Sequence, residues 1–253
     1  MNMIKAFVKK YWVAFLIFAG MGLWYYYYTE YGEAISYLFP KVSSIWKAFT
    51  ADKAQLIPNM LSSFEIMVPS ILIALAIALS LGTFLGLNKK AREALHPVIY
   101  TFSVVPAILL APFVLMLAPT LRMASIILIV YSTVWATLFA TITGIQTIDK
   151  TYLDKAATLE LKGLEKFFRV ILPAASPTIL GGFVNALRNT FIMLVYAEMY
   201  GATSGMGYYV KLYSDFGLFN KVWMGFIFMV IVLVVVMTLF EKLKTRMLRW
   251  TIG

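Results

Sequence analysis

Residues 222–240 carry no charged side chain, and the run is bounded by Lys221 on one side and Glu241 on the other. A helix gains 1.5 Å per residue, so roughly 20 apolar residues in a row cross the ~30 Å hydrocarbon core of a bilayer. Comparable runs recur along the sequence: 61% of the 253 residues are hydrophobic, 13% are charged, and mean hydropathy is +0.82. Backbone in lipid must satisfy its hydrogen bonds within itself, which makes each run a helix. The sequence therefore specifies an all-α, multi-pass membrane protein.

Six transmembrane helices are predicted. The basic start MNMIKAFVKK leads into residues 11–28, which end in four consecutive tyrosines suited to a membrane–water interface. No small-residue cleavage site follows, so the run is expected to stay as a first span and not to be removed as a signal peptide. Residues 29–56 are polar and mixed, but Val42, Ile45, Trp46 and Phe49 fall on one helical stripe. That stripe predicts a short helix along the outer membrane face, packed on the protein's own spans. Span two, 58–87, contains Gly82 and Gly86, a spacing that lets helices approach closely. Span three, 98–117, holds Pro106 and Pro112 and is expected to be kinked or broken, because proline lacks a donor and clashes with the preceding turn. Residues 123–145, rich in Thr and Ser, make span four; 174–199 make span five and 222–240 span six.

Charge sets the orientation. Lys and Arg number 22 against 12 acidic residues, a formal net charge of +10, yet the excess sits in short segments beside apolar runs, the signature of membrane topology and not of nucleic-acid binding. With the spans threaded alternately, fifteen basic residues fall on one side and six on the other (Lys41, Lys47, Lys53, Arg122, Lys211, Lys221), with Arg188 inside a span. The positive-inside rule then predicts that both termini and the charged interval 154–173 are cytoplasmic. Cysteine is absent and His96 is the single histidine, so no disulfide and no metal site is predicted.

The interval 154–173, DKAATLELKGLEKFFRVILP, lies between two apolar spans and must sit in water at the membrane surface. It reads as two short helices. Asp149 or Thr151 caps the first, and Gly163 suits the left-handed position that ends it. The second, 164–172, is expected to stop at Pro173, which is welcome in the first turn of the next span. A surface helix tied to two spans is a lever.

Asp154, Ala156 and Leu172-Pro173 give this interval its resemblance to the EAA loop of binding-protein-dependent ABC importer permeases, in which an acidic residue, two alanines, a glycine and a downstream LP form the coupling helix. Lys155 stands where that pattern has its first alanine, and Glu160 where it has its glycine. A second stretch, AEMYGATSGMGYYV at 197–210, is similar to the AEM-x-GA-x-SG-x-G segment after the fifth span in the nitrate, sulfonate and taurine branch, which also includes permeases for a vitamin precursor.

The resemblance implies a type I importer permease (MetI-like) fold. An N-terminal transmembrane helix and outer interfacial segment would occupy residues 1–56, and a five-helix permease core 57–253, with a coupling loop at 146–173. It implies a second permease chain, identical or sibling, and two cytoplasmic ABC ATPase subunits that hold ATP and magnesium. An extracytoplasmic solute-binding protein would deliver the solute, and the assembly would sit in a bacterial plasma (inner) membrane. No G-x-x-x-x-G-K-[ST] loop occurs, so this chain is expected to bind no cofactor and to be no enzyme, with ATP hydrolysis on a partner. The residues expected to couple to the ATPase are Asp154, Lys155, Ala156, Leu159, Glu160, Gly163, Leu164 and Pro173. Leu159, Leu161 and Leu164 would fill a groove, and Asp154, Lys155 and Glu160 would set its charge register.

Ionisable residues within spans point to the translocation pathway. Arg188 lies in span five with Asn185 and Asn189 on the same face, and a mid-span arginine costs roughly 2.5–3.5 kcal/mol, so it must face protein or water. Two readings stand: it meets an anionic substrate or gate carboxylate, or it closes an internal ion pair, with Glu65 and Glu198 as candidate partners. Met193, Tyr196, Met199 and Tyr200 recur at helical spacing near Glu198 and either pack or line a vestibule. The substrate stays open between a small oxyanion and an aromatic vitamin precursor. An ATP-independent channel or secondary carrier fits the spans but gives no reason for the two motifs to occur together. An intramembrane enzyme is disfavoured because no paired intramembrane acids are evident.

Overall fold

The computed structural model describes residues 2–32 and 37–249, with side chains from residue 12 onward, so Lys5, Lys9 and Lys10 lie outside the described side chains. Every regular element among the described residues is a helix: α1 (Asn2–Tyr31), α2 (Val42–Leu87), α3 (Lys89–Val104), α4 (Ala107–Leu117), α5 (Leu121–Gln146), α6 (Lys150–Thr158), α7 (Gly163–Lys166), a π-helical turn (Phe167–Ile171), α8 (Leu172–Gly201), α9 (Met206–Asp215) and α10 (Phe219–Met247). Among the described residues, four runs are long and apolar enough to cross a membrane: Val42–Leu87, Leu121–Gln146, Gly163–Gly201 and Phe219–Met247. The bent pair α3 and α4 makes a fifth. The remaining expected crossing, residues 11–28, falls on α1, a 30-residue helix.

α5 is the axis of the bundle, packed along α2 on one side and α8 on the other. Ile66, Met67 and Ile71 of α2, Leu128 and Ile129 of α5, and Leu187, Phe191 and Leu194 of α8 form the main core. Lipid tails are as apolar as leucine, so close packing and interhelical hydrogen bonds hold such helices together, the latter worth about 0.6 kcal/mol each on average. Both devices are present. A Cβ on Gly82 would lie 2.7 Å from the Thr141 Cβ, and one on Gly86 2.9 Å from that of Ile145, so the glycine pair is what allows α2 to lie against α5. Thr133 and Thr190 join their hydroxyls across α5 and α8 at 2.7 Å.

Three expectations about boundaries change. The stripe at 42–49 is not a separate surface helix but the start of α2, whose 46 residues span about 69 Å. Ala51, Lys53, Ala54, Gln55 and Leu56 are good helix formers, and nothing among them stops the helix. The broken third span breaks at one proline only: α3 and α4 meet at 87° around Pro106, while Pro112 sits inside α4. The Phe102 carbonyl, which Pro106 cannot serve, accepts from the Tyr131 hydroxyl instead. Lastly, the helix after Gly163 does not stop at Pro173 but runs on to Gly201. The wider i→i+5 turn at Phe167–Ile171 accommodates the ring of Pro173, and the Ser176 hydroxyl takes up the Pro173 carbonyl that Pro177 leaves free, at 2.8 Å.

Candidate functional site

The charged interval forms a compact turn between the ends of α5 and α8. Asp149 caps α6, its carboxylate accepting from the Thr151 N–H at 2.7 Å, and Thr151 holds that carboxyl below its usual range. At the other end the Leu161 N–H reaches the Ala156 carbonyl and the Glu160 N–H the Ala157 carbonyl, both at 3.0 Å. This pair of bonds is a Schellman motif, and its left-handed residue is Glu160, with φ +53°. The glycine expected there, Gly163, has φ +54° but opens α7 three residues later. A glutamate thus holds a conformation that glycine adopts without strain.

Around this turn Ala156 is buried and Pro173 half-buried, while Asp154, Lys155, Glu160 and Gly163 are exposed. Asp154, Lys155 and Glu160 make no ion pair among the described residues. Leu159 is 70% exposed, Leu164 76% and Phe168 60%. Three large apolar side chains on one charged surface turn are an unpartnered patch.

On α8, Asn185, Arg188, Asn189 and Ile192 form an exposed face half-way along the span, opposite the residues packed on α5. Arg188 donates to the Asn185 side-chain oxygen at 2.7 Å. The internal ion pair does not form: Glu65 is exposed and paired with Arg122 at 3.4 Å, and Glu198 is fully buried elsewhere. Arg122 also donates to the Glu65 carbonyl, the acceptor freed by Pro69. Tyr196 is half-buried and rests on Tyr200, ring centres 4.9 Å apart.

Glu198 is the post of a latch at the far end. The loop after α8 turns through Gly205, at φ +126°, into α9, whose first N–H groups have no intrahelical partner. Side chains from two other helices supply them. Asn59 of α2 accepts from the Gly205 N–H at 2.9 Å, Ser63 of α2 from Met206 at 2.9 Å, and Glu198 of α8 from Gly207 at 2.7 Å. A Cβ on Gly205 would lie 2.6 Å from the Glu198 Oε1, and one on Gly207 2.7 Å from the Val195 carbonyl. The motif AEMYGATSGMG is therefore a fitted joint: an acid inside, and glycines where the loop passes over it.

Sequence reasoning missed the roles of four polar residues. Asn59 and Ser63, one turn apart on span two, carried a legible i, i+4 signal. Asp52, nearly buried, holds Lys221 at 2.7 Å and the Tyr209 hydroxyl at 3.0 Å, binding α2, α9 and α10; burial and Asp52 raise the Tyr209 phenol far above its ordinary range. Arg92 closes the opposite end of α2, donating to the carbonyls of Leu85 and Gly86 at 2.9 and 3.2 Å. The Gln146 amide, its oxygen turned to the guanidinium, accepts from Arg92 Nε at 2.6 Å.

The model of the family described as binding-protein-dependent transport system inner membrane component matches residues 70–249. The putative aliphatic sulfonates transport permease protein of Bacillus subtilis strain 168 is 28% identical over 179 residues, 71% of this chain and 65% of that protein. The nitrate import permease protein of Leptolyngbya laminosa is 29% identical over 139 residues, 55% of this chain and 50% of that protein, so the chain spans less than two thirds of either relative. Among solved structures, a chain of the MetNI methionine ABC transporter in an inward-facing conformation superposes with a TM-score of 0.62 at 16% identity, covering 78% of this chain and 96% of that one. A chain of a bacterial ABC transporter involved in the import of the acidic polysaccharide alginate gives 0.66 at 13% identity, covering 97% and 99%. These two share the fold.

Proposed function

Because this chain belongs to the family of binding-protein-dependent transport system inner membrane components, we propose that it is the membrane-spanning permease subunit of an ATP-driven importer. Two such chains, identical or sibling, enclose the pathway; two cytoplasmic ATPase subunits carry ATP and magnesium, and an external binding protein delivers the solute. Both termini and the charged turn face the cytoplasm, in keeping with the basic residues clustered there.

The observation that carries this reading is the apolar patch of Leu159, Leu164 and Phe168 on a turn continuous with a span. A ligand shifts a conformational equilibrium only through differential affinity for its states, so ATPase closure can drive transport only by gripping something rigidly joined to the spans. The run from Gly163 to Gly201 is such a joint, and Asp154, Lys155 and Glu160 set the charge of the contact. An ATP-independent channel leaves the exposed patch without a role.

The solute is a small anion. Asn185, Arg188 and Asn189 put a cation and two amides on the one polar mid-span face of α8, and the two relatives described above are named for aliphatic sulfonates and for nitrate. Glu198, Glu65 and Tyr196 support the pathway wall without facing the solute. Leu159→Asp with Leu164→Asp tests the reading: the ATPase should no longer co-purify while the chain stays folded, and an undiminished complex would refute it.

A further inference from the structure

A groove of about 730 Å³ runs between α2, α8 and α10, and the rings of Phe183 and Phe240, edge to face at 5.6 Å, form part of its wall. Its lining on α10 extends from Val236 to Met247, about 17 Å at 1.5 Å per residue, close to the ~15 Å of hydrocarbon that one lipid leaflet contributes. The groove is open along its side, where Leu72 of α2 and Leu239 of α10 are exposed. α10 is also the least enclosed of the four long spans, with 17% of its most apolar stretch buried.

All fifteen lining residues are Phe, Leu, Ile, Val or Met. Helices that associate in lipid approach through small residues, as α2 does on α5 at Gly82 and Gly86, and this groove has none. Such walls suit a thin flexible chain and not another helix. The two ends of the groove differ in charge. At the Phe64 end the adjacent acid, Glu65, is already paired with Arg122. At the Met247 end, Arg246 follows Leu239 by seven residues and Leu243 by three, while Lys244 follows Phe240 by four, so a cation stands on each side of the mouth. Arg246 is exposed and makes no ion pair among the described residues, and Lys244 meets Glu241 only at 3.8 Å.

We propose that this groove is a binding site for an anionic phospholipid, with an acyl chain lying along α10 and the phosphate resting between Lys244 and Arg246. Clusters of Lys and Arg at the ends of spans recognise anionic headgroups, and the apolar slot beside this cluster takes the chain. A zwitterionic lipid offers the same chain but offsets its phosphate with a cation of its own, so the two basic residues set the preference. The bound lipid joins α10 to α2 and α8 where the protein's own contacts are sparse. Neither a solute nor an ATPase enters this assignment.

The test is native mass spectrometry of the full chain released from nanodiscs that hold phosphatidylglycerol and phosphatidylcholine in equal amounts. Phosphatidylglycerol should be retained at least about fivefold over phosphatidylcholine. Lys244→Gln with Arg246→Gln should abolish that preference with an unchanged melting temperature in detergent, while Lys89→Gln with Lys90→Gln, at the start of α3, should leave it intact. Equal retention of the two lipids, or the same loss in both double variants, would overturn the site. The chain has no cysteine, so Leu72→Cys places a unique probe at the open side of the groove. A disulfide-linked dimer formed through it would give the groove to a second copy of this chain and overturn the lipid assignment, whereas a monomer that keeps its phosphatidylglycerol supports it. Each readout omits the ATPase and the solute, so failure here leaves the permease reading standing.

Discussion

The two stretches that gave this chain its resemblance end up in opposite circumstances. At one end of the bundle the latch of Asn59, Ser63, Glu198, Gly205 and Gly207 is enclosed, and each member meets another residue of the same chain. At the other, the turn around Leu159, Glu160 and Leu164 is open and makes its strongest bonds only along its own backbone. The latch keeps the family's pattern at each acid and glycine, whereas the turn departs from it at Lys155 and Glu160. A joint closed within one chain leaves no room for a different side chain, whereas an exposed turn, whose proposed counterpart is a separate subunit, is free to vary.

The contrast can be broken by mutation. The largest effect is expected at the latch: Gly205→Ala adds a Cβ against the Glu198 carboxylate in a backbone conformation foreign to alanine, and should destabilise the chain by about 2–4 kcal/mol. Its measure is the thermal midpoint of purified protein, and an unchanged midpoint would show that the joint is loose. Glu198→Ala should follow, leaving the buried Gly207 N–H unpaired at about 1–3 kcal/mol.

The doubly charged turn variant, Leu159→Asp with Leu164→Asp, should alter stability by less than about 0.5 kcal/mol because both sites are exposed, yet abolish co-purification of the ATPase. Arg188→Gln gives up a charge-assisted contact worth about 1.5–3 kcal/mol to the solute, so uptake should fall at least about tenfold with assembly intact. Normal uptake would take Arg188 out of the pathway. The smallest effect is expected from Glu160→Gly, which relieves a left-handed glutamate and should stabilise the turn by about 1 kcal/mol, seen as slower amide exchange at Leu161.

Much of the fold was legible because lipid enforces it. Apolar run lengths gave α5, α8 and α10, Pro106 gave the bend, and Gly82 with Gly86 gave the approach of α2 to α5. The boundaries were less legible where two helices fuse, since neither residues 50–57 nor Pro173 carries a stop strong enough to outweigh good helix formers and a π turn. The choice between Glu160 and Gly163 as the left-handed residue could not be made from propensity, which favours glycine. It is settled by where α6 must end to bury Ala156. The fate of Glu198 was hidden for a similar reason: an acid within a span reads as functional, and only its three-dimensional neighbours reveal an amide to hold.

The π-helical turn at Phe167–Ile171 holds one residue more than an α-helix of the same rise would need. Each residue advances an α-helix by about 100°, so that surplus fixes the compass bearing of everything ahead of it relative to α8. Excising Val170 there would restore a regular helix and keep Leu159, Leu164 and Phe168 in the sequence, yet swing Leu164 and the preceding turn about a quarter of a revolution. Alignment with the proposed ATPase would then be lost through azimuth alone, with Leu159, Leu164 and Phe168 all still present.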